Sequence, residues 1–179
     1  MVNKGKFPTL ADRAAELLSA IHLLWEKHLI APSLILLYST IDIMAWLDRP
    51  EGKHDVTRAD FISWVDAFML PGSGLPCSSR DLYSARCAIL HSYSAESRQT
   101  RHGLARLLFY AWGTADSAKL QRLIEAEGST NAVAVQLEDL ILALGQGINK
   151  CLDAPKHPDL VQSRAQKFFA NIPSTGAEL

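Results

Sequence analysis

Residues 29–47 read LIAPSLILLYSTIDIMAWL, and no other stretch of the chain restricts the fold as strongly. The run is apolar almost throughout, yet Pro32 and Asp42 interrupt it before it reaches the ~20 residues a membrane span requires. A helix resolves the conflict. Proline is tolerated in a first helical turn, where its missing N–H would have no partner anyway. The pattern therefore predicts a buried helix from about Pro32 to Leu47, ended by DRPEG, in a soluble cytoplasmic protein with no membrane partner. Asp42 is then an anomaly, because it shares its face of the helical wheel with Leu34, Ile35, Tyr38, Ala45 and Trp46.

A second anomaly matches it. In DLYSARCAILHSYSAES, residues 81–97, a helical wheel gathers Leu82, Tyr83, Ile89, Leu90 and Tyr93 into one arc of about 120°. Arg86 falls inside that arc, and His91 lies just beyond its edge. A guanidinium in an apolar stripe must be paired, since desolvating it alone costs several kcal/mol. Two opposite charges, each embedded in an apolar face, are most simply explained by facing one another. The sequence thus predicts an Asp42–Arg86 ion pair. Such a pair could fix helix register, or Asp42 could orient an arginine that also grips a phosphate.

Helical periodicity extends over most of the rest. Residues 9–29 open with Thr9 as N-cap and Asp12 three residues on, a capping-box pattern. A third helix starts after Thr57 and stops at LPGSGLP, and Ser79 is the expected cap of the helix carrying Arg86. Residues 115–127, 131–153 and 159–170 also read as helices. For LARLLFYAWG, residues 104–113, periodicity does not decide between helix and strand. The expected fold is all-α, an up-and-down helical bundle with additional helices, a small β-hairpin near 104–112 being the one β addition it allows. A length of 179 residues without linker, repeat or low-complexity tract suits a single domain, residues 1–179.

The net charge is −1, so the whole molecule makes no case for a nucleic-acid or membrane surface. Locally the balance differs. Arg80, Arg86, Arg98, Arg101 and Arg106 stand between positions 80 and 106 against only Asp81 and Glu96, an excess of +3 that also holds His91 and His102. Cations that hold phosphate beside a near-neutral proton carrier are the ingredients of a phosphodiester site, although a solvated basic loop has the same composition. Arg80, Glu96, Arg98 and Arg101 are accordingly candidate substrate-binding residues. Cys77, Cys87 and Cys151 form no CxxC pair, and no HEXXH motif occurs, so neither a metal nor another cofactor is expected.

The string RCAILH, Arg86 followed after four residues by His91, resembles the R-x4-6-H motif of HEPN domains. Its frame, DLYSARCAILHSYSAES, is similar to a D-L-Y-x-x-R-C-x-x-L-H-x-x-x-x-E-S signature of small uncharacterised bacterial proteins. The resemblance implies a HEPN-like helical bundle and a metal-independent endoribonuclease. Arg86 would bind phosphate, His91 would be the general acid–base, and Asp42 the acidic residue of an early helix. It also implies a homodimer in which two motifs share a cleft, and an antitoxin or other protein as partner. Many HEPN domains are inactive, so a non-catalytic module binding RNA, a nucleotide or a protein is the alternative. The residue after the arginine is frequently polar in HEPN ribonucleases, and here it is Cys87. Residues five apart project about 140° from each other on a helix, which predicts that one chain alone does not turn both groups onto one phosphate.

Overall fold

A computed structural model describes residues 9–94 and 96–166 of the chain. The chain runs α1 (Leu10–Glu26), α2 (Ile30–Asp48), α3 (Arg58–Trp64), α4 (Ser79–Ser92), α5 (Arg98–Arg101), β1 (Leu107–Ala111), α6 (Ser117–Ala126), β2 (Ala132–Gln136), α7 (Leu137–Asp153) and α8 (Pro158–Ala165). A single π turn, Val65–Met69, extends α3. The fold is mostly helical, and an all-α assignment needs one correction, the two-stranded sheet.

The apolar run at 29–47 forms α2, the central helix, packed against α1, α3, α4, α7 and α8. Pro32 lies in its first turn, and Leu34, Leu37, Tyr38, Ile41, Met44 and Leu47 are buried around it. The helix is long and apolar enough to cross a membrane, but ten of its residues are buried inside the protein, covered by other helices. Phe61, Trp64, Met69, Leu82, Leu137, Leu140 and Leu144 complete the core. Capping boxes at Thr9–Asp12 and Thr57–Asp60 start α1 and α3 where the sequence places them. The cap of α4 is Ser78 rather than Ser79, because Asp81 then falls at the third helical position and bonds back to the cap backbone.

Residues 104–112 do not form a hairpin. Strand β1 pairs in parallel with β2, in register from Leu107 opposite Ala132 to Ala111 opposite Gln136. A parallel pair requires a crossover, and α6 supplies it. The expected helix over 131–153 is consequently split. AVAVQ is a strand buried on both faces, where valines at alternate positions suit a pleated sheet better than a helix. Val133 and Val135 join the main core, while Ala132 and Ala134 pack with Ile124 and Leu120 of α6. The Tyr38 and Tyr110 hydroxyls hydrogen-bond at 2.6 Å and tie β1 to α2. The last helix begins at Pro158, and the expected residues 167–170 lie outside the described residues.

Candidate functional site

Helix α4 lies against α2, and the two anomalous charges meet between them. Arg86 Nε and Nη2 each donate to Asp42 Oδ2 at 2.8 Å. The side chains are 20% and 17% exposed, so the pair sits at the rim of the core, open to solvent on one side. Burial pushes the Asp42 carboxyl above its usual range, and the hydrogen bond and charge of Arg86 only partly pull it back. Burial also works against the charge of Arg86, but Asp42 outweighs it there and the guanidinium holds its proton more firmly than usual.

Arg86 makes a third contact, Nη1 to His91 Nε2 at 3.1 Å. One chain thus brings the two side chains into contact, which their separation of about 140° on the helical wheel did not suggest. Their Cα–Cβ directions diverge by about 140°, but five residues advance only about 7.5 Å along the axis, within reach of a long arginine side chain. A guanidinium has only donors, so the contact is a hydrogen bond in the tautomer whose Nε2 accepts and whose Nδ1 carries the ring proton. His91 is exposed in the last turn of α4. The helix ends just after it at Tyr93, which takes the left-handed conformation at φ 48°. Of five N–H groups on Arg86, three are engaged by Asp42 and His91. One N–H remains on each of Nη1 and Nη2, and the Cys87 thiol lies close to the guanidinium.

The surrounding arginines divide by what they touch. Arg106 is committed to structure: its backbone N–H and side chain bind Asp81, with Nη2 at 2.8 Å from Oδ2. Arg80 is exposed in the first turn of α4, about 16 Å along the axis from His91. Arg101 and Glu96 are exposed on and before α5, and among the described residues no hydrogen bond joins them to the triad. Arg98 lines a concavity on the flank of α4, together with Arg58 and His102. Sequence reasoning missed Arg58. The available signal was a cation in the first turn of a helix, where the macrodipole disfavours positive charge.

Tyr110 is tied to the core through Tyr38 and, with Tyr93, Phe109 and Trp112, lines an apolar groove of about 370 Å³ on the opposite flank of α4. Among the described residues no group of three His, Cys, Asp or Glu is placed to hold a metal ion. Neither a family model, nor a curated protein, nor a solved structure matches this chain.

Proposed function

We propose that this chain is a HEPN-like endoribonuclease in which Asp42, Arg86 and His91 form one catalytic unit. The observation that carries the reading is a single guanidinium bonded on one edge to a carboxylate and on the other to an exposed imidazole. Asp42 fixes the plane of the guanidinium, and a phosphate arriving at its free N–H groups competes with His91 for Nη1. Binding would then release Nε2, giving a neutral base beside the phosphate that displaced it. The base takes the proton of the adjacent 2′-hydroxyl, whose oxygen attacks phosphorus. The P–O5′ bond breaks, leaving a 2′,3′-cyclic phosphate, and O5′ leaves as a hydroxyl after receiving a proton. Arg86 neutralises charge that grows on the phosphoryl oxygens in the transition state. One imidazole cannot be base and acid at the same instant, so a second copy of His91 across a homodimer cleft would supply the acid. Dimerisation is thus required by the chemistry of the step, not by the reach of Arg86.

The purified protein should cleave single-stranded RNA in excess EDTA and leave cyclic-phosphate ends. His91→Ala should lose about 10²–10⁴ in rate with its circular dichroism unchanged. Full activity in that variant, or intact RNA with the wild type, would overturn the proposal. The Arg86–His91 contact also favours a second reading, a non-catalytic RNA-binding module in which His91 merely braces the arginine. That reading expects saturable RNA binding that weakens in Arg86→Ala, and no turnover.

A further inference from the structure

The flank of α4 opposite the apolar groove bears a concavity of about 640 Å³ between α3, α4 and the segment around α5. Three groups that can carry positive charge line it, Arg58, Arg98 and His102, and no carboxylate does. Its remaining wall is of a different kind. Leu104 is 61% exposed there, an apolar side chain left to solvent in otherwise basic surroundings. Tyr83 faces it too, with the Arg58 guanidinium 5.7 Å from its ring centroid. A third, independent feature is Gln99. Its Oε1 is buried and has no hydrogen-bond partner among the described residues, although the residue lines the concavity. A buried acceptor left without a donor costs the protein on the order of a lost hydrogen bond, so turning the Gln99 side chain to bring Oε1 out into the concavity would let a ligand donate to it.

The concavity also communicates with the triad. Cys87 forms part of its floor, and its thiol lies close to both the Tyr83 hydroxyl and the Arg86 guanidinium. The stripe Tyr83, Cys87, His91 runs along α4 at four-residue spacing, so one helix face leads from the concavity to the imidazole.

We infer that this concavity is a subsite for the nucleotide next to the scissile phosphate of a single-stranded RNA. Arg58, Arg98 and His102 hold its phosphate, the base lies along the Tyr83–Leu104 wall, and a base N–H donates to Gln99 Oε1 once that side chain has turned toward the concavity. The combination of features selects the ligand. A bare phosphate would use the cations but neither the exposed leucine nor the orphaned acceptor. A duplex would keep its bases stacked and their edges paired, whereas an unpaired nucleotide offers both a flat face and a free donor. The inference rests on the reading of Arg86 and His91 as an RNA site, and its test does not depend on cleavage.

The full-length protein is titrated with a fluorescent 2′-O-methyl oligoribonucleotide, which lacks the attacking hydroxyl, and binding is followed by anisotropy over a range of salt. Inorganic phosphate and a mononucleotide serve as competitors. Arg58→Gln and Arg98→Gln should each weaken oligonucleotide binding and reduce the salt slope by about 0.7, the value for one phosphate contact on a single strand. Gln99→Met should weaken binding with the salt slope unchanged. Arg122→Gln, an exposed arginine on α6, is the control and should bind as wild type. Wild-type affinity in all three subsite variants, or no binding by the wild type, overturns the inference. So does full competition by inorganic phosphate together with a silent Gln99→Met, which would make the concavity a phosphate site only. His91→Ala separates the two proposals. Loss of cleavage with unaltered oligonucleotide binding sustains both, and binding by a wild type that never cleaves RNA sustains the subsite alone.

Discussion

Removing either member of the Asp42–Arg86 pair should cost more than removing both. Asp42→Leu leaves a guanidinium that is only 20% exposed without a counter-charge. Breaking a fully buried pair costs about 3–5 kcal/mol, and the residual solvent contact lowers this to about 2 kcal/mol here. Arg86→Met leaves a carboxyl that can take up a proton instead of staying charged. From an ordinary value of 3.8, neutralising it at pH 7 costs at most about 4 kcal/mol. Without Arg86 the burial that raises this value is left almost unopposed, so the loss grows toward that ceiling and is at least comparable to that of Asp42→Leu. The double variant Asp42→Leu/Arg86→Met replaces two charges by apolar groups of similar size, which is close to neutral, within about 1 kcal/mol of wild type. The coupling energy is then at least about 3 kcal/mol. Urea unfolding of the four proteins at pH 7, followed by tryptophan fluorescence and circular dichroism, measures it. Each single variant should also melt at least about 4–8 °C lower, given 2–4 °C per kcal/mol at this chain length. A double variant that loses the sum of the two single losses would refute the argument, since two groups that do not face each other contribute independently.

Other perturbations follow from the same structure. Burial works against the Asp81 charge, but the bonds from Ser78 and Arg106 outweigh it and hold the carboxyl below its usual range. Its contribution is therefore complete above about pH 4 and is lost as pH falls through the lower native value, so Asp81→Asn should flatten the acid limb of a stability-against-pH curve. An unchanged acid limb in that variant would count against it. Gly147→Ala would place a Cβ 3.0 Å from the Met69 Cα in the π turn, an overpacking that should cost about 1–3 kcal/mol in chemical denaturation. Tyr110→Phe strips the buried Tyr38 hydroxyl of its partner and should cost about 1–3 kcal/mol in chemical denaturation, and the reciprocal loss in Tyr38→Phe should cost a similar amount.

The helices and the charge pair were legible because each leaves a local mark. A capping box needs four residues, and a charge in an apolar stripe is visible from one turn either side. Asp42 and Arg86 could be matched across 44 positions because each had only one plausible solution to the same desolvation problem. The sheet was illegible for the converse reason. AVAVQ leads straight into LEDLILALG without a breaker, and only pairing with Leu107–Ala111, on the far side of α6, makes it a strand. The expected clustering of arginines was visible as composition, but composition does not separate Arg106, spent on Asp81, from Arg98, which lines a concavity.

The DLYSARCAILHSYSAES frame divides the same way once each side chain has a position. Asp81 caps α4 and anchors the start of β1 through Arg106, Leu82 is fully buried, and Ser97 caps α5 while its hydroxyl meets that of Ser84. These residues are accounted for by folding alone. Arg86 and His91 are not. Asp42 is the costlier member at neutral pH, because a carboxyl whose native value is raised stabilises the fold below its unfolded value and gives that up as pH rises through the native one. An apolar pair at positions 42 and 86 would serve the core as well, so what the charged pair adds is orientation: a guanidinium held flat, with donors free, against an imidazole. Packing alone does not need that arrangement, and under the proposed function it serves an anionic ligand. The double variant that restores stability should therefore also abolish RNA binding at Arg86, and a stable double variant that still binds would mean the pair serves register alone.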